Sequence, residues 1–408
     1  MSKTKLRKAL GILFAIAAGP VLAQTTYVRP QYQYPGTPPE TGPASIQVGD
    51  SPFFVTPYLG TAIGRDDNLF LTRDNPRSSD LYLLSPGMKL DARDRNKVIQ
   101  ASYQGQIGRY TSSRDDDYVD ETARAQFDMA LDRRNFLKLG VDYVRSHDPR
   151  GSTDRPIGSG PDRYRQTTPY ATYALGAPGA AGRVELYYSD PGRRYISNRD
   201  TTFNSDREMQ EFGGAFYWRV MPRTYVMAEA RQTDVRYDVS NSPLTADEHR
   251  YYAGVTWEAT AATTGTVKVG QLRRNFKDPA QPDFSGTSWE ALVSWAPRSY
   301  SKFDFYSARQ TNESTGLGSF ILSSIGGVTW SHSWSSYVTT AVDARLQKDD
   351  YQGFDRNDKI AVLGLKAGYK FRRWLTMGAE YTHTKRDSNL DLFDYDKNLY
   401  LLTLTATM

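Results

Sequence analysis

The most regular feature of this chain is an alternation of apolar and polar residues, which begins near Pro52. Between 375 and 381, for example, Leu, Met, Ala and Tyr alternate with Thr, Gly and Glu. The same period of two recurs at 266–269, 289–295 and 338–346. Successive side chains of a strand point to opposite faces, so each segment predicts a strand with one apolar and one polar, often charged, face. We find no helical periodicity of any length, and the pattern predicts an all-β protein.

The connections between these segments alternate strictly between short turns and longer polar loops. This asymmetry is typical of a membrane barrel, with short turns in the periplasm and long loops outside the cell. Nine loops and eight turns predict a single transmembrane antiparallel up-and-down β-barrel of about 18 strands, within a range of 16–18. We expect the strands near 53–65, 80–91, 96–110, 118–131, 136–146, 164–175, 183–194, 207–220, 224–237, 248–260, 265–275, 286–296, 301–309, 318–332, 337–347, 357–371, 375–385 and 394–408.

The polar face of these strands carries charges of both signs. A basic residue facing lipid costs about 2–4 kcal/mol at the midplane, so the charged face should line the lumen. The lumen-lining candidates are Glu185, Glu211, Arg219, Glu229, Arg231, Glu258, Glu290, Asp343, Arg345, Lys366 and Glu380. They could form ion pairs that stiffen the wall, or a lumen without a dominant sign that suits a neutral or mildly polar polymer.

The apolar face and the strand ends carry the aromatic residues. We expect Trp218, Trp257, Trp289 and Trp295 to face the membrane, where aromatic side chains gather at both interfaces. The final strand, 400–408, alternates apolar and polar residues to its end, as recognition by barrel-assembly machinery requires. Its last residue, Met408, departs from the usual terminal aromatic.

The N-terminus has the pattern of an export signal. Basic residues precede an apolar run from Ala9 to Ala18 and a small-residue site ending at Ala23, which predicts a signal peptide over 1–23. Its removal takes away four basic residues and lowers the net charge from +5 to about +1. Residues 24–51 are rich in Pro, Tyr and Gln and predict a periplasmic linker, and 52–408 form the barrel. The predicted location is the outer membrane of a Gram-negative-type bacterium.

Candidate chemistry is sparse. The four histidines lie on separate segments without the spacing of a catalytic triad or a metal site, so we expect neither catalytic residues nor a metal or other cofactor. Acidic runs at 66–68 and 115–117 could bind calcium, although turn formation explains them equally well. Basic and acidic residues alternate throughout, which excludes a nucleic-acid partner. Occlusion of the lumen must come from inward-folded loops, with 147–163 and the first long loop as candidates.

Several short motifs resemble the Putative beta-barrel porin 2 family. They are Pro57–Gly60, Arg65–Thr72, Ser79–Tyr82, Leu84–Gly87, Tyr110 with Asp116–Tyr118, and Arg145 with Asp148–Gly151. Within that family the chain is similar to the EpsL-type barrels of exopolysaccharide biosynthesis operons. The resemblance implies an outer-membrane barrel that exports a polysaccharide, and it implies no catalytic residues.

Three hypotheses follow. The first is a channel that exports exopolysaccharide, with outer-membrane lipid, lipopolysaccharide and periplasmic export components as partners. The second is a general diffusion porin for small solutes. The third is an outer-membrane enzyme that modifies lipid or polymer.

Overall fold

The computed structural model describes residues 45–154, 160–258 and 262–407. The predicted signal peptide, most of the predicted linker and Met408 lie outside the described residues. The described strands are β1 (Ile46–Gln47), β2 (Phe53–Asp66), β3 (Ser79–Asp94), β4 (Lys97–Tyr110), β5 (Tyr118–Ala130), β6 (Asn135–Asp148), β7 (Asp162–Leu175), β8 (Gly182–Ser189), β9 (Gly192–Tyr195), β10 (Arg207–Met221), β11 (Thr224–Tyr237), β12 (Ala246–Trp257), β13 (Thr263–Phe276), β14 (Phe284–Arg298), β15 (Ser301–Asn312), β16 (Phe320–Ser333), β17 (Val338–Gln352), β18 (Asn357–Arg372), β19 (Leu375–Ser388) and β20 (Tyr395–Thr407).

The strands form one closed antiparallel barrel. Apart from β8 and β9, which do not pair with each other, each strand pairs with its neighbour in the chain. β20 pairs with β2, for example Leu59 with Ala406, to close the ring. β8 and β9 share one position, because both lie between β7 and β10. The ring therefore has 18 positions among the described residues, which confirms the predicted fold.

Two local features differ from the predicted boundaries. The strand predicted at 183–194 is interrupted at Asp190 and Pro191, where proline has no N–H group for the ladder. Near the end of the predicted linker, β1 pairs with β2, so Ile46 lies opposite Val55. A four-residue helix, Arg199–Thr202, lies in the loop before β10. The described helices include none long and apolar enough to cross a membrane.

Side-chain burial follows the predicted period of two. On β11, Met227, Glu229 and Arg231 are buried, whereas the intervening Ala228 and Ala230 are exposed. Exposed apolar residues, such as Leu346 and Leu402, cover the outer surface. An ordinary soluble core would bury the apolar face. Here charged side chains occupy the interior, as expected when the apolar face meets lipid.

Candidate functional site

Four charged side chains from three strands meet inside the barrel wall. Arg231 donates to Glu229 at 2.6 Å and to Glu290 at 3.1 Å. Lys268 contacts the same two carboxylates, at 2.6 Å and 2.9 Å. The hydroxyl of Tyr187 donates to Glu229 at 2.7 Å. We call these five residues the lumen cluster.

The lumen cluster is electrically balanced, with two carboxylates and two cations. All four charged side chains are almost fully buried. Desolvation of such charges is costly, and their mutual contacts offset that cost only while every member is present. This part of the wall therefore presents paired charges and no excess of either sign.

Most of the other predicted lumen residues lie beside this cluster or on the inner face of β17 to β19. Glu211 approaches Arg231 at 3.9 Å. Glu185 pairs with Arg183 at 3.1 Å and accepts a hydrogen bond from Tyr217.

On β17 to β19, Lys366 pairs with Glu380 at 3.0 Å. Asp343 accepts a hydrogen bond from Thr329 at 2.8 Å, and the half-buried Arg345 contacts Tyr306. The structure thus brings some candidates together and leaves the rest as local pairs.

Two predicted lumen residues lie at the periplasmic rim instead of inside the wall. Arg219 is exposed near the end of β10 and donates to the backbone oxygen of Gly179. Glu258 is exposed and follows the last residue of β12, Trp257. The period of two assigns both residues to the inward face. Because they lie so close to a strand end, however, their side chains reach solvent.

The four tryptophans predicted to face the membrane all lie on the outer alternation of their strands. Trp218 is 51% exposed and Trp295 is 42% exposed, and Trp295 stacks on Phe303. Trp257 and Trp289 are half-buried because each is covered by a neighbour. Trp257 packs over Gly265, and Trp289 donates to Ser307 at 2.9 Å.

The β15–β16 hairpin leaves the wall at its extracellular tip. β14 pairs with β15 only up to Trp289 and Arg309, whereas β15 and β16 stay paired as far as Asn312 and Ile321. The loop that connects the two strands of this hairpin carries Glu313, which is 4% exposed.

Glu313 holds this loop against the inner faces of two strands that lie two and four positions from β15 along the wall. Both of its carboxylate oxygens accept from Arg274 on β13, at 2.7 and 2.9 Å, and Tyr237 on β11 donates at 2.6 Å. We call these three residues the Glu313 anchor. The tip therefore bends inward over the lumen and reaches strands that are not its neighbours in the sheet.

A second loop, between β6 and β7, reaches across the mouth through Asp154. The Asp154 carboxylate accepts from Arg356 at 2.5 Å, from Tyr351 at 3.1 Å and from Thr315 at 3.2 Å. On the far side of the ring, Tyr351 lies at the end of β17 and Arg356 lies between β17 and β18. Thr315 belongs to the inward loop of Glu313. We call these four residues the Asp154 contact.

The near part of the same loop packs on the first long loop. Arg150 donates to Asp116 at 2.9 Å, and its guanidinium carbon lies 4.8 Å from the ring centroid of Phe70. Both loops expected to occlude the lumen thus contribute to a layer over its extracellular mouth. The loop of Glu313, which sequence reasoning did not propose, completes this layer.

Several of these residues were not identified from the sequence. Lys268 and Arg274 occupy polar positions of alternating strands, so their inward direction was available from the period of two. Asp154 and Glu313 lie in loops without periodicity, and no local signal marks them.

The acidic runs considered for calcium are used in internal contacts. Asp66 pairs with Lys397 at 2.6 Å, Asp67 accepts from Asn398, and Asp116 pairs with Arg150. Within the described ranges, no group of three or more acidic or histidine side chains is arranged to hold a metal ion.

A closed 18-strand barrel with an apolar exterior, a charged interior and loops over one mouth defines an outer-membrane channel-like protein. The sequence profile of the family described as Putative beta-barrel porin 2 matches residues 38–408. The chain belongs to this family.

Solved structures with a similar fold are outer-membrane proteins of low sequence identity. OccK2 (OpdF) of Pseudomonas aeruginosa, solved in complex with glucuronate, is 9% identical with a TM-score of 0.50, covering 87% of this chain and 98% of that one. OccAB3 of Acinetobacter baumannii is 10% identical with a TM-score of 0.47, covering 88% and 100%. The FrpB iron transporter of Neisseria meningitidis is 12% identical with a TM-score of 0.45; the match covers 83% of this chain but only 64% of the transporter. No curated protein sequence matches the chain significantly.

Proposed function

We propose that this barrel exports an exopolysaccharide across the outer membrane, as the EpsL-type resemblance implies. The observation that carries the proposal is the layer of loops held together by the Asp154 contact and the Glu313 anchor. A polymer conduit must stay shut when it is empty, and contacts that hold loops across the mouth would keep it shut.

The interior supports a polymer that carries little net charge in its repeating unit. Opposite charges in the lumen cluster are already paired, so they leave no strong field along the path. Lumen tyrosines, such as Tyr187 and Tyr252, place ring faces and hydroxyl groups near these pairs. Tyrosine side chains are amphipathic and uncharged, which suits them to contact sugar rings.

The proposal predicts that deletion of the gene abolishes surface polysaccharide while its synthesis continues. Polymer should accumulate inside the cell envelope and be released by osmotic lysis of the outer membrane. Complementation with the intact chain should restore surface polymer, and complementation with an unrelated diffusion porin should not. Normal surface polymer in the deletion strain would refute export.

The second candidate is a general diffusion porin, which the family description favours. Planar bilayers separate the two functions, because a diffusion porin gives stable open conductance and admits small sugars in liposome swelling. We expect the intact chain to be mostly closed in both assays. A stable open pore would favour the porin and count against the closed conduit.

Partners follow from the same proposal. Residues 24–51 would extend into the periplasm toward polysaccharide-export components, the strand 400–408 would be read by barrel-assembly machinery, and the outer face would meet phospholipid and lipopolysaccharide. Cleavage after Ala23 would leave Gln24 as the first mature residue, which N-terminal sequencing of the membrane form tests directly. An outer-membrane enzyme is disfavoured, and full export activity after replacement of all four histidines would remove a histidine-dependent mechanism.

A further inference from the structure

Two adjacent periplasmic turns carry exposed aromatic and basic side chains together. Phe371 and Arg372 end β18, and Arg373 and Trp374 form the turn before β19. The turn between β16 and β17 contains Trp334 and Tyr337. The aromatic members are about half exposed or more, from 47% for Phe371 to 62% for Trp334. The backbone N–H of Lys370 donates to the carbonyl of Tyr337 at 2.8 Å and joins the two turns. We call these six side chains the Arg372 cluster.

One of the two cations of this cluster, Arg372, lies on the lipid side of the barrel. Phe371 continues the outward alternation of Tyr369 on β18, and both side chains are about half exposed. The guanidinium carbon of Arg372 lies 4.5 Å from the ring centroid of Phe371. Within the described part of the chain, Arg372 and Arg373 form no ion pair with an acidic side chain, and both are exposed. Both cations are therefore exposed at the periplasmic end of these strands, beside aromatic rings.

An apolar groove on the outer wall begins beside the same cluster. It has a volume of about 860 Å³ and crosses the outward faces of β17 to β20, β2 and β3. Its floor is shallow because the outward positions of β18 and β19 hold the small Ala367 and Ala379, between the larger Leu365 and Tyr400. Thr340, at one edge of the groove, accepts a hydrogen bond from Nε1 of Trp334 at 2.9 Å. The groove and the cluster are thus continuous.

We infer that this surface binds one anionic phospholipid of the periplasmic leaflet. Arg372 and Arg373 pair with its phosphate, since guanidinium groups bind phosphate with directed, charge-assisted bonds. Trp334, Tyr337 and Trp374 surround the interfacial part of the lipid, where amphipathic rings are stable. An acyl chain lies in the groove over Ala367 and Ala379, where the wall is apolar; the exposed Arg65–Asp80 ion pair lines the end of the groove away from the cluster. The site is independent of what the channel transports.

An acidic polysaccharide is the alternative ligand for these cations. The contacts favour the lipid, because Arg372 packs on an outward-facing ring and the adjoining groove is apolar. A polysaccharide that enters the lumen would pass on the other side of the wall.

The test uses the intact protein, extracted from liposomes that contain phosphatidylglycerol and phosphatidylcholine, and counts retained lipids by native mass spectrometry. We expect the intact chain to retain one phosphatidylglycerol in preference to phosphatidylcholine. The double variant Arg372→Gln/Arg373→Gln should lose this preference by about tenfold or more, since each cation near an anionic surface contributes roughly a fivefold factor. The variant Ala367→Leu/Ala379→Leu keeps both charges but fills the groove, and it should also lose the retained lipid.

The matched control is Arg133→Gln/Arg134→Gln. It removes the same charge from an exposed turn at the same rim, but that turn has no aromatic residue. We expect this control to keep the retained phosphatidylglycerol. Unchanged retention in either test variant would overturn the inference. A second outcome would also overturn it, in favour of the polymer. In that outcome Arg372→Gln/Arg373→Gln retains the lipid, but an acidic oligosaccharide no longer blocks its channel conductance.

Discussion

At the extracellular end of the barrel most cations lie against acidic side chains, and at the periplasmic end most do not. The extracellular pairs include Arg73 with Asp391, Arg150 with Asp116, Arg199 with Asp206, Arg274 with Glu313, Arg356 with Asp358 and Lys397 with Asp66. Among the described residues at the other end, the exposed cations without an ion pair include Arg95, Lys97, Arg133, Arg134, Arg219, Arg223, Arg298, Arg372 and Arg373.

This difference indicates that charged side chains have different roles at the two ends of the barrel. Buried pairs at the extracellular end have fixed geometry and hold loops over the lumen, so their loss should change both stability and conductance. Apart from Arg219, which contacts the turn at Gly179, the exposed cations at the periplasmic end hold no loop and are available to ligands outside the protein. Variants can therefore separate closure of the mouth from binding at the surface. Their effects on stability and conductance should be larger at the extracellular end than at the periplasmic end.

The largest effect is expected from Arg274→Met. This change removes the guanidinium that pairs with the buried carboxylate of Glu313. It also removes the 3.6 Å contact of Arg274 with Glu248. Breaking a buried pair costs about 3–5 kcal/mol of unfolding free energy. Thermal unfolding in detergent should therefore start at a clearly lower temperature.

The control for Arg274 is Arg73→Gln, whose partner Asp391 is largely exposed. Exposed pairs contribute about 0–1 kcal/mol, so its unfolding should be nearly unchanged. Equal effects of the two variants would show that burial of the Glu313 anchor has no energetic importance.

The next effect is on conductance and is expected from Asp154→Asn. Arg356 keeps its bonds to Asp358 at 3.0 and 2.6 Å, so no lone buried charge remains and the barrel should fold. The loop loses a charge-assisted contact worth roughly 1.5–3 kcal/mol. The open fraction in single-channel recordings should then rise by about tenfold to a hundredfold.

Asp391→Asn serves as the control for Asp154, because it removes an exposed extracellular carboxylate of the same type. Its recordings should match those of the intact chain. A closed fraction that is insensitive to Asp154→Asn would mean that this contact does not hold the mouth shut.

Acid should weaken the same closure through Glu313. Burial disfavours its charged form, but Arg274, with a smaller contribution from Arg207, outweighs burial and holds the pKa of Glu313 below its ordinary value of 4.5. Because the pKa of Glu313 is lowered in the anchored state, its charge stabilises that state fully at pH values above 4.5. The stabilisation is lost as the pH falls from 4.5 through the lowered pKa. Channel opening should therefore increase only below 4.5. The variant Glu313→Gln should show no such acid step, and an unchanged step would assign it to another group.

The barrel itself was predictable because its information is local. Lipid outside and charge inside impose a period of two on every strand, and turn lengths distinguish the two ends. That is why Glu229, Arg231 and Glu290 could be placed on one face before any contact was known. Their meeting with Lys268 could not, because it depends on the register of four successive strands and on the curvature of the wall.

The closure was not predictable in detail for a related reason. Asp154 and Arg356 are separated by about half of the ring, and their loops carry no periodic pattern. Composition could indicate that residues 147–163 are suited to fold inward, but not which side chain would meet them. Arg219 and Glu258 show the converse error, since periodicity near a strand end does not decide between lumen and rim.

The smallest effect should come from the periplasmic end, in the variant Arg133→Gln/Arg134→Gln. Both side chains are exposed and form no ion pair with a described acidic residue, so their replacement should change the unfolding free energy by no more than about 0.5 kcal/mol. Because they lie at the end of the barrel away from the loops, closed and open fractions in single-channel recordings should also stay as in the intact chain. A higher salt concentration should not increase the difference in unfolding free energy between this variant and the intact chain, since exposed charges are already screened. A large loss of stability, or an open channel, would show that the periplasmic cations take part in closure and would remove the distinction between the two ends.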